Sequence, residues 1–416
     1  MKIGVVTNFY PPEAMGGAEI YAFDLCAELG RQGFDVEVFT STGGRPRIER
    51  NSNVTVHFFS TIPPVARALS NLLGYNFNPW STGLTRALVR ARCDLVHVHN
   101  INSSIMLYPL LTALKLPTVC HVHDHWPVCY RGFLFDTWNG TPCFSARPSC
   151  CFNPGFRIVG RFNLAARRRL LDKFESRVDA FIAPSYHMRD TLVARQFTTA
   201  DKIDVIRLGV DFANLPNTDG PRQYKFVFAG RLVDYKNPEI VAKILARGHL
   251  RNAHFRILGR GPEEANLRAA FSSTGVRLNE GMRNLTPTKG SETVGVTMGW
   301  VPARRDVLVE ISTARGLLVP SKVAENSPLV IYEALACGSP VICANLGGGQ
   351  ELVRDSGAGY VVPSDDVPGW QHALEELCDD DVFYRLSSMA LTFAQRELRI
   401  EHSARAVAKL YDRIAD

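Results

Sequence analysis

Two series of short apolar runs, each alternating with amphipathic stretches, predict an α/β chain with two doubly wound parallel sheets. In the first series Ile3–Thr7, Val36–Phe39, Val54–Phe58, Leu95–His99, Thr118–His121 and Ala180–Ile182 read as strands, with helices such as Ala18–Gln32 between them. In the second, Lys225–Ala229, His254–Leu258, Leu317–Pro320, Pro340–Ala344 and Gly359–Val362 alternate with helices Ile240–Ala246, Leu329–Cys337 and Val367–Glu376. Near-continuous apolar strands separated by helices are expected where a parallel sheet is covered on both faces. Gly209–Gln223, rich in Gly, Pro, Asn and Asp, reads as the linker between the series. A last helical segment, about Arg396–Ile414, is expected to cross back to the first domain. Asn279–Val294 has weak periodicity and takes no assignment.

Composition agrees with this division. The 416 residues are too many for one ordinary core and comfortable for two. Hydrophobic content of 46% with 21% charged residues reads as a soluble globular chain. No apolar run reaches the roughly 18 residues of a membrane span. Met1–Phe9 holds one Lys and a short β-branched run, expected as a buried first strand rather than a signal peptide. A cytoplasmic setting with reduced thiols is therefore expected. The net charge of +6 is compatible with anionic ligands or a membrane surface. Nucleic acid is not an expected partner, because the basic residues cluster in one helix without stacked aromatics beside them.

The richest stretch is Ala324–Pro340 (AENSPLVIYEALACGSP), in which Glu325 and Glu333 are separated by seven residues. Glu325 ends a loop and Glu333 lies within the following helix. Between them is a helix start, whose unpaired N–H groups and positive dipole end can hold a phosphate. Carboxylates on either side can hold hydroxyls. One helix terminus could thus grip a diphosphate, a ribose and a sugar together, which is the outline of a nucleotide-sugar site.

Other segments fit around it. Tyr10–Glu19 follows the first strand, and Gly16 and Gly17 either make a tight strand-to-helix turn or let the backbone approach a ligand. Phe228–Asn237 (FAGRLVDYKN) places Arg231 and Lys236 after a strand, where two cations could neutralise a leaving diphosphate. Leu258–Pro262 (LGRGP) reads as a turn whose Gly259 and Gly261 could also offer backbone to a base or ribose. Leu116–Cys129 crowds His121, His123 and His125 around Asp124; side chains two apart share a face, so the three histidines would share a side if the strand continued. They could bind sugar hydroxyls or a metal, although no ligand set of standard spacing closes around them. His97 and His99 read as structural.

Cys129, Cys143, Cys150 and Cys151 fall within 23 residues as C-x13-C-x6-C-C. Such a set could hold a structural zinc, or an iron–sulfur cluster, or be packed free thiols; it has no CxxC pair. Arg157–Arg177 combines seven Arg and Lys residues with apolar positions near helical spacing. It could lie on an anionic membrane or form a solvated helix face beside an acceptor.

In order and spacing these pieces resemble a family 4 glycosyltransferase, a retaining enzyme of GT-B architecture with two Rossmann-like domains facing a cleft. The resemblance spans nearly the whole chain. It rests on Gly16-Gly17 with Glu19, His123-Asp124, Ala183-Pro184-Ser185, Gly209-Val210-Asp211, Gly230-Arg231 with Lys236, and Gly259-Arg260-Gly261-Pro262. Pro320-Ser321, the Glu325–Glu333 motif and Gly347-Gly348 with Glu351 complete it. It implies an acceptor-binding domain at residues 1–208, a nucleotide-sugar-binding domain at 209–395, and a crossing helix at 396–416.

The resemblance also implies roles. Glu325 would hold donor-sugar hydroxyls and Glu333 the ribose. The N–H groups of Leu329 and Val330, with Arg231 and Lys236, would hold the diphosphate. Gly17 would approach phosphate or acceptor, and His123 would contact the donor sugar. The implied reaction moves a hexose from a UDP- or GDP-linked sugar to a glycan or lipid-linked acceptor in polysaccharide or glycolipid assembly, with no metal required. A nucleotide-sugar epimerase, or another GT-B enzyme without a glycan acceptor, is the alternative. Many relatives have Phe-Gly where Ser327-Pro328 stands here, and Pro328 cannot donate to phosphate. Leu208 stands where the family usually has Asn.

Overall fold

The computed structural model describes residues 1–13, 16–60, 81–99, 111–112, 115–136, 140–143, 157–216, 222–248, 250, 253–280 and 294–415. They divide into two compact units, Met1–Gly209 with Ile400–Asp416, and Val210–Arg399.

The sheet of the first unit contains β1 (Lys2–Val6), β2 (Asp35–Thr42), β3 (Arg47–Asn51), β4 (Val54–Ser60), β5 (Leu95–His99) and β6 (Thr118–His121). The short hairpin β7 (Phe135–Asp136) and β8 (Thr141–Pro142) stands apart, and β9 (Ala180–Ala183) and β10 (Ile203–Val205) complete the sheet. Its order is β10-β9-β6-β5-β1-β2-β4-β3, parallel except for the edge strand β3. β5, β6 and β9 are buried along their whole length, as expected for strands covered on both faces. β3 (RIERN) was invisible to apolar patterning because most of it is exposed and charged, a composition that discourages edge-to-edge association. Trp126 packs edge-on to Phe174 and Phe197 in the core.

The second unit holds β11 (Gln223–Ala229), β12 (His254–Leu258), β13 (Arg277–Glu280), β14 (Gly295–Gly299), β15 (Ala314–Val319), β16 (Val341–Ala344) and β17 (Gly359–Val362). They form one fully parallel sheet of order β13-β14-β12-β11-β15-β16-β17. Phe226, Phe255, Phe271 and Trp370 fill its core. β13 and β14 flank the stretch left without assignment; residues 281–293 lie outside the described residues.

The expected final helix is Ile400–Ala415, preceded by a separate helix, Asp380–Glu397, that ends where the expected segment begins. At the break the Leu398 carbonyl accepts from the Val210 N–H at 2.8 Å. Ile400–Ala415 then joins the first unit: Tyr21 and Ser403 share a hydroxyl hydrogen bond of 2.7 Å, and Arg413 donates to Asp204 at 3.1 Å.

Candidate nucleotide-sugar site

The topology of the second sheet explains its site. β11, β12, β14, β15 and β16 are neighbours and parallel, so the loops after them emerge at one edge. These loops carry Gly230–Asn237, Gly259–Pro262, Gly299–Val301, Pro320–Pro328 and Asn345–Gly348. In open parallel sheets this carboxyl edge is where ligands bind.

Lys236 and Glu325 are brought into contact there: the Lys236 ammonium donates to the Glu325 carboxylate, which also accepts from Ser321 Oγ. The loop holding Lys236 ends at Asn237, left-handed at φ 55° and tied by its amide to the Ser364 carbonyl at 2.9 Å. Asn is among the few residues that adopt this conformation readily. Lys322 fastens the same two loops together through Asp234 Oδ1 at 2.5 Å and the Tyr235 carbonyl at 2.8 Å. The Glu325 carbonyl accepts from Gly348 N–H at 2.8 Å, and a Cβ on Gly347 would lie 2.1 Å from that carbonyl. Gly347 is therefore required by close approach and by its φ of 71°. Arg231 is exposed and makes no ion pair among the described residues.

The helix Leu329–Ala336 starts with Pro328 at the cap position and has no side-chain cap. Leu329 and Val330 open it. It ends in a Schellman turn, with Ser339 N–H to the Ala334 carbonyl at 2.8 Å and Gly338 N–H to that of Leu335 at 3.0 Å. Glu333, on its second turn, is buried and accepts from Arg304 Nε at 2.8 Å. Arg304 and Ser321 did not stand out singly in the sequence. Arg304 opens the helix after the Gly299–Val301 strand end, and that placement was the available signal.

Gly259 and Gly261 have a packing reason to be glycine. A Cβ on Gly259 would lie 1.9 Å from the Gly230 carbonyl oxygen, and one on Gly261 would lie 2.2 Å from that of Leu232. The two loops run side by side, with Leu232 N–H donating to the Arg260 carbonyl at 3.1 Å. Arg260 also stacks over the half-exposed Trp300, 4.5 Å from the ring centre.

The remaining sequence candidates lie in the first unit. Gly16 caps the helix Gly17–Arg31 in extended conformation. Burial raises the Glu19 carboxyl, whose backbone hydrogen bonds are with its own N–H and that of Gly16, closing this helix start from within. β6 stops at His121, so the three histidines do not share one side. His123 stacks on His121 at 4.2 Å between ring centres, whereas His125 packs against His187 at 5.7 Å. Burial lowers His123 to about 3 and raises Asp124 to about 7, with Trp126 N–H donating to Asp124 at 2.8 Å.

Cys129 and Cys143 line a cavity of about 300 Å³ together with Arg167, Arg195 and Phe197. Cys150 and Cys151 lie outside the described residues, and with them the four-thiol set. The basic segment forms the helix Arg157–Glu175. Its Phe162 is 75% exposed and Arg168, Arg169 and Lys173 face solvent, while Arg167 turns inward to the Trp126 carbonyl. Among the described residues no helix is long and apolar enough to cross a membrane.

Two parallel-sheet units with a charged carboxyl edge define a class, the GT-B glycosyltransferase fold, and solved structures agree. Anabaena Alr3699/HepE in complex with UDP-glucose matches at a TM-score of 0.69 and 17% identity, covering 99% of each chain. Sucrose-phosphate synthase from Thermosynechococcus elongatus matches at 0.70 and 18%, covering 99% of this chain and 98% of that one. Residues 15–214 match the family model for Glycosyltransferase Family 4 and residues 223–380 that for Glycosyl transferases group 1. The chain belongs to the family 4 glycosyltransferases. A D-inositol 3-phosphate glycosyltransferase of Mycobacterium sp. (strain KMS) is 25% identical over 382 residues, covering 87% of this chain and 77% of that protein.

Proposed function

We propose that the chain moves a hexose from a UDP- or GDP-linked sugar to a hydroxyl of a glycan or lipid-linked acceptor, with retention of anomeric configuration. The observation that carries this reading is the Lys236–Glu325 contact, set beside exposed Arg231 and an uncapped helix start. A diphosphate arriving at Leu329 and Val330 draws Lys236 and Arg231 to its oxygens. Glu325 is then released to accept hydrogen bonds from the sugar hydroxyls. Glu333 takes the ribose hydroxyls, while Gly259 and Gly261 hold the loop beside the base.

In the chemical step the bond from the anomeric carbon to the phosphate oxygen breaks and a bond to the acceptor oxygen forms on the same face. The departing phosphate oxygen takes the acceptor proton. Lys236 and Arg231 stabilise the charge that grows on the diphosphate. This route calls on no side-chain nucleophile and no metal, unlike the paired carboxylates of glycosidases.

UDP-glucose is the first donor to test, because a solved neighbour carries it. A phosphorylated polyol is among the first acceptors, because a curated relative acts on inositol phosphate. The exposed Phe162 and the basic face around it support peripheral contact with an anionic membrane on the cytoplasmic side, where lipid-linked acceptors reside. The test is transfer from UDP- and GDP-hexoses to an acceptor panel, with product anomers assigned by proton NMR. Retention supports the reading, inversion contradicts it, and epimerised donor formed without acceptor turns it to an epimerase.

A further inference from the structure

The face of the first sheet under the C-terminal helix carries a histidine cluster that the transfer reaction does not use. His97 and His99 are alternate residues of β5, and His121 is paired in register with His99 on β6. All three are at most 1% exposed. Each of the first two spends one ring nitrogen: His97 Nδ1 lies 2.6 Å from the Tyr411 hydroxyl, and His99 Nδ1 lies 2.9 Å from His123 Nε2. His97 Nε2, His99 Nε2 and both nitrogens of His121 are buried without a hydrogen-bond partner among the described residues. One ligand nitrogen from each ring lies within 4.8 Å of the others.

Buried polar atoms without partners are uncommon and costly, and four in one place call for a shared partner. In the tautomers whose Nδ1–H donates to Tyr411 and to His123, His97 and His99 each keep a bare Nε2 lone pair. That is how metal-ligating imidazoles are held by their outer hydrogen bonds. Full burial favours the neutral ring, the form that ligates. We propose that His97, His99 and His121 bind one late first-row transition ion, zinc or copper, for which imidazole is a suited ligand. Two ligands of a tetrahedral ion stand about 3.3 Å apart, so the cluster must tighten. His121 can turn without breaking any ring hydrogen bond to the described residues. The ion would pin β5 to β6 at the centre of the first sheet.

The test is elemental analysis of the full chain, freed of any affinity tag and refolded with zinc or copper(I). His121→Phe should lower the ion content by roughly one equivalent per chain, while Cys143→Ser leaves that equivalent in place. Equal content in wild type and His121→Phe, including none in both, overturns the proposal. Should His121→Phe fail to fold, cobalt-loaded Cys143→Ser decides. Visible cobalt bands without a thiolate charge-transfer band support the site, and no bands, or bands with a thiolate component, overturn it.

Discussion

The Lys236 ammonium and the Glu325 carboxylate, 89 positions apart, are held against each other at the carboxyl edge of the second sheet. The family resemblance implies separate roles for them, one for the diphosphate and one for the sugar. The structure makes each the partner of the other, so on the proposed function donor binding would exchange this pair for contacts to the substrate.

Lys236→Ala and Glu325→Ala should each lower kcat for transfer by about a hundredfold or more, the scale of losing one group that stabilises a developing charge. Both residues are only partly buried, so circular dichroism and the melting temperature should stay near wild type. Near-normal turnover in both variants removes the assignment.

Glu333→Ala should act mainly on binding. Its carboxylate, on the helix that follows the proposed diphosphate-binding loop, is anchored by Arg304. Donor KM should rise about tenfold with a smaller change in kcat, the pattern of lost uniform binding. A donor lacking the ribose hydroxyls should narrow the gap between wild type and variant. An unchanged gap with that donor excludes the ribose as the partner.

Gly261→Ala should destabilise the second unit. The new Cβ would lie 2.2 Å from the Leu232 carbonyl, a backbone atom that cannot swing aside. The loss should be about 1–3 kcal/mol by urea denaturation, as for overpacking elsewhere. Wild-type stability would show that the Gly230–Val233 loop yields freely.

His254 predicts an acid-sensitive contribution to stability. Its ring is buried at 2.8 Å from Thr297 Oγ1, and burial, then the charges of Arg256 and Lys225, lower it to about 4. Unfolded, it returns to an ordinary value near 6.5. Between these values the unfolded chain binds the extra proton, so the contribution is complete above about 6.5 and is lost as pH falls toward 4. Between roughly pH 7.5 and pH 5 the wild type should lose on the order of 2 kcal/mol more than His254→Asn. Parallel pH profiles in urea denaturation would contradict this.

Legibility in the sequence followed burial. Leu95–His99, Thr118–His121 and His254–Leu258 match their strands end to end, because apolar residues fill positions that a parallel sheet covers; Gly359–Val362 also matches, though of its residues only Val362 is buried. Arg47–Asn51 escaped, since an exposed edge strand has no apolar pattern to read. Ile203–Val205 was too short to register, and Gly295–Gly299 adjoined an aperiodic stretch. At the site, residue types and their strand-end positions were visible, but pairings were not. The contacts of Lys236 with Glu325 and of Arg304 with Glu333 depend on which strands are neighbours, and the order β12-β11-β15 cannot be read from local spacing. The histidines show the same limit. His97 and His99 look like filler until β6 brings His121 beside them.

The most direct measurement is thermal stabilisation of the purified chain by UDP, GDP, ADP and TDP sugars, with Lys236→Ala alongside. A ligand that binds only the folded state raises the melting temperature once its concentration passes its dissociation constant. The proposed function predicts a clear shift with a UDP or GDP sugar that shrinks in Lys236→Ala. No shift with any donor in well-folded wild type, or an equal shift in the variant, would contradict it.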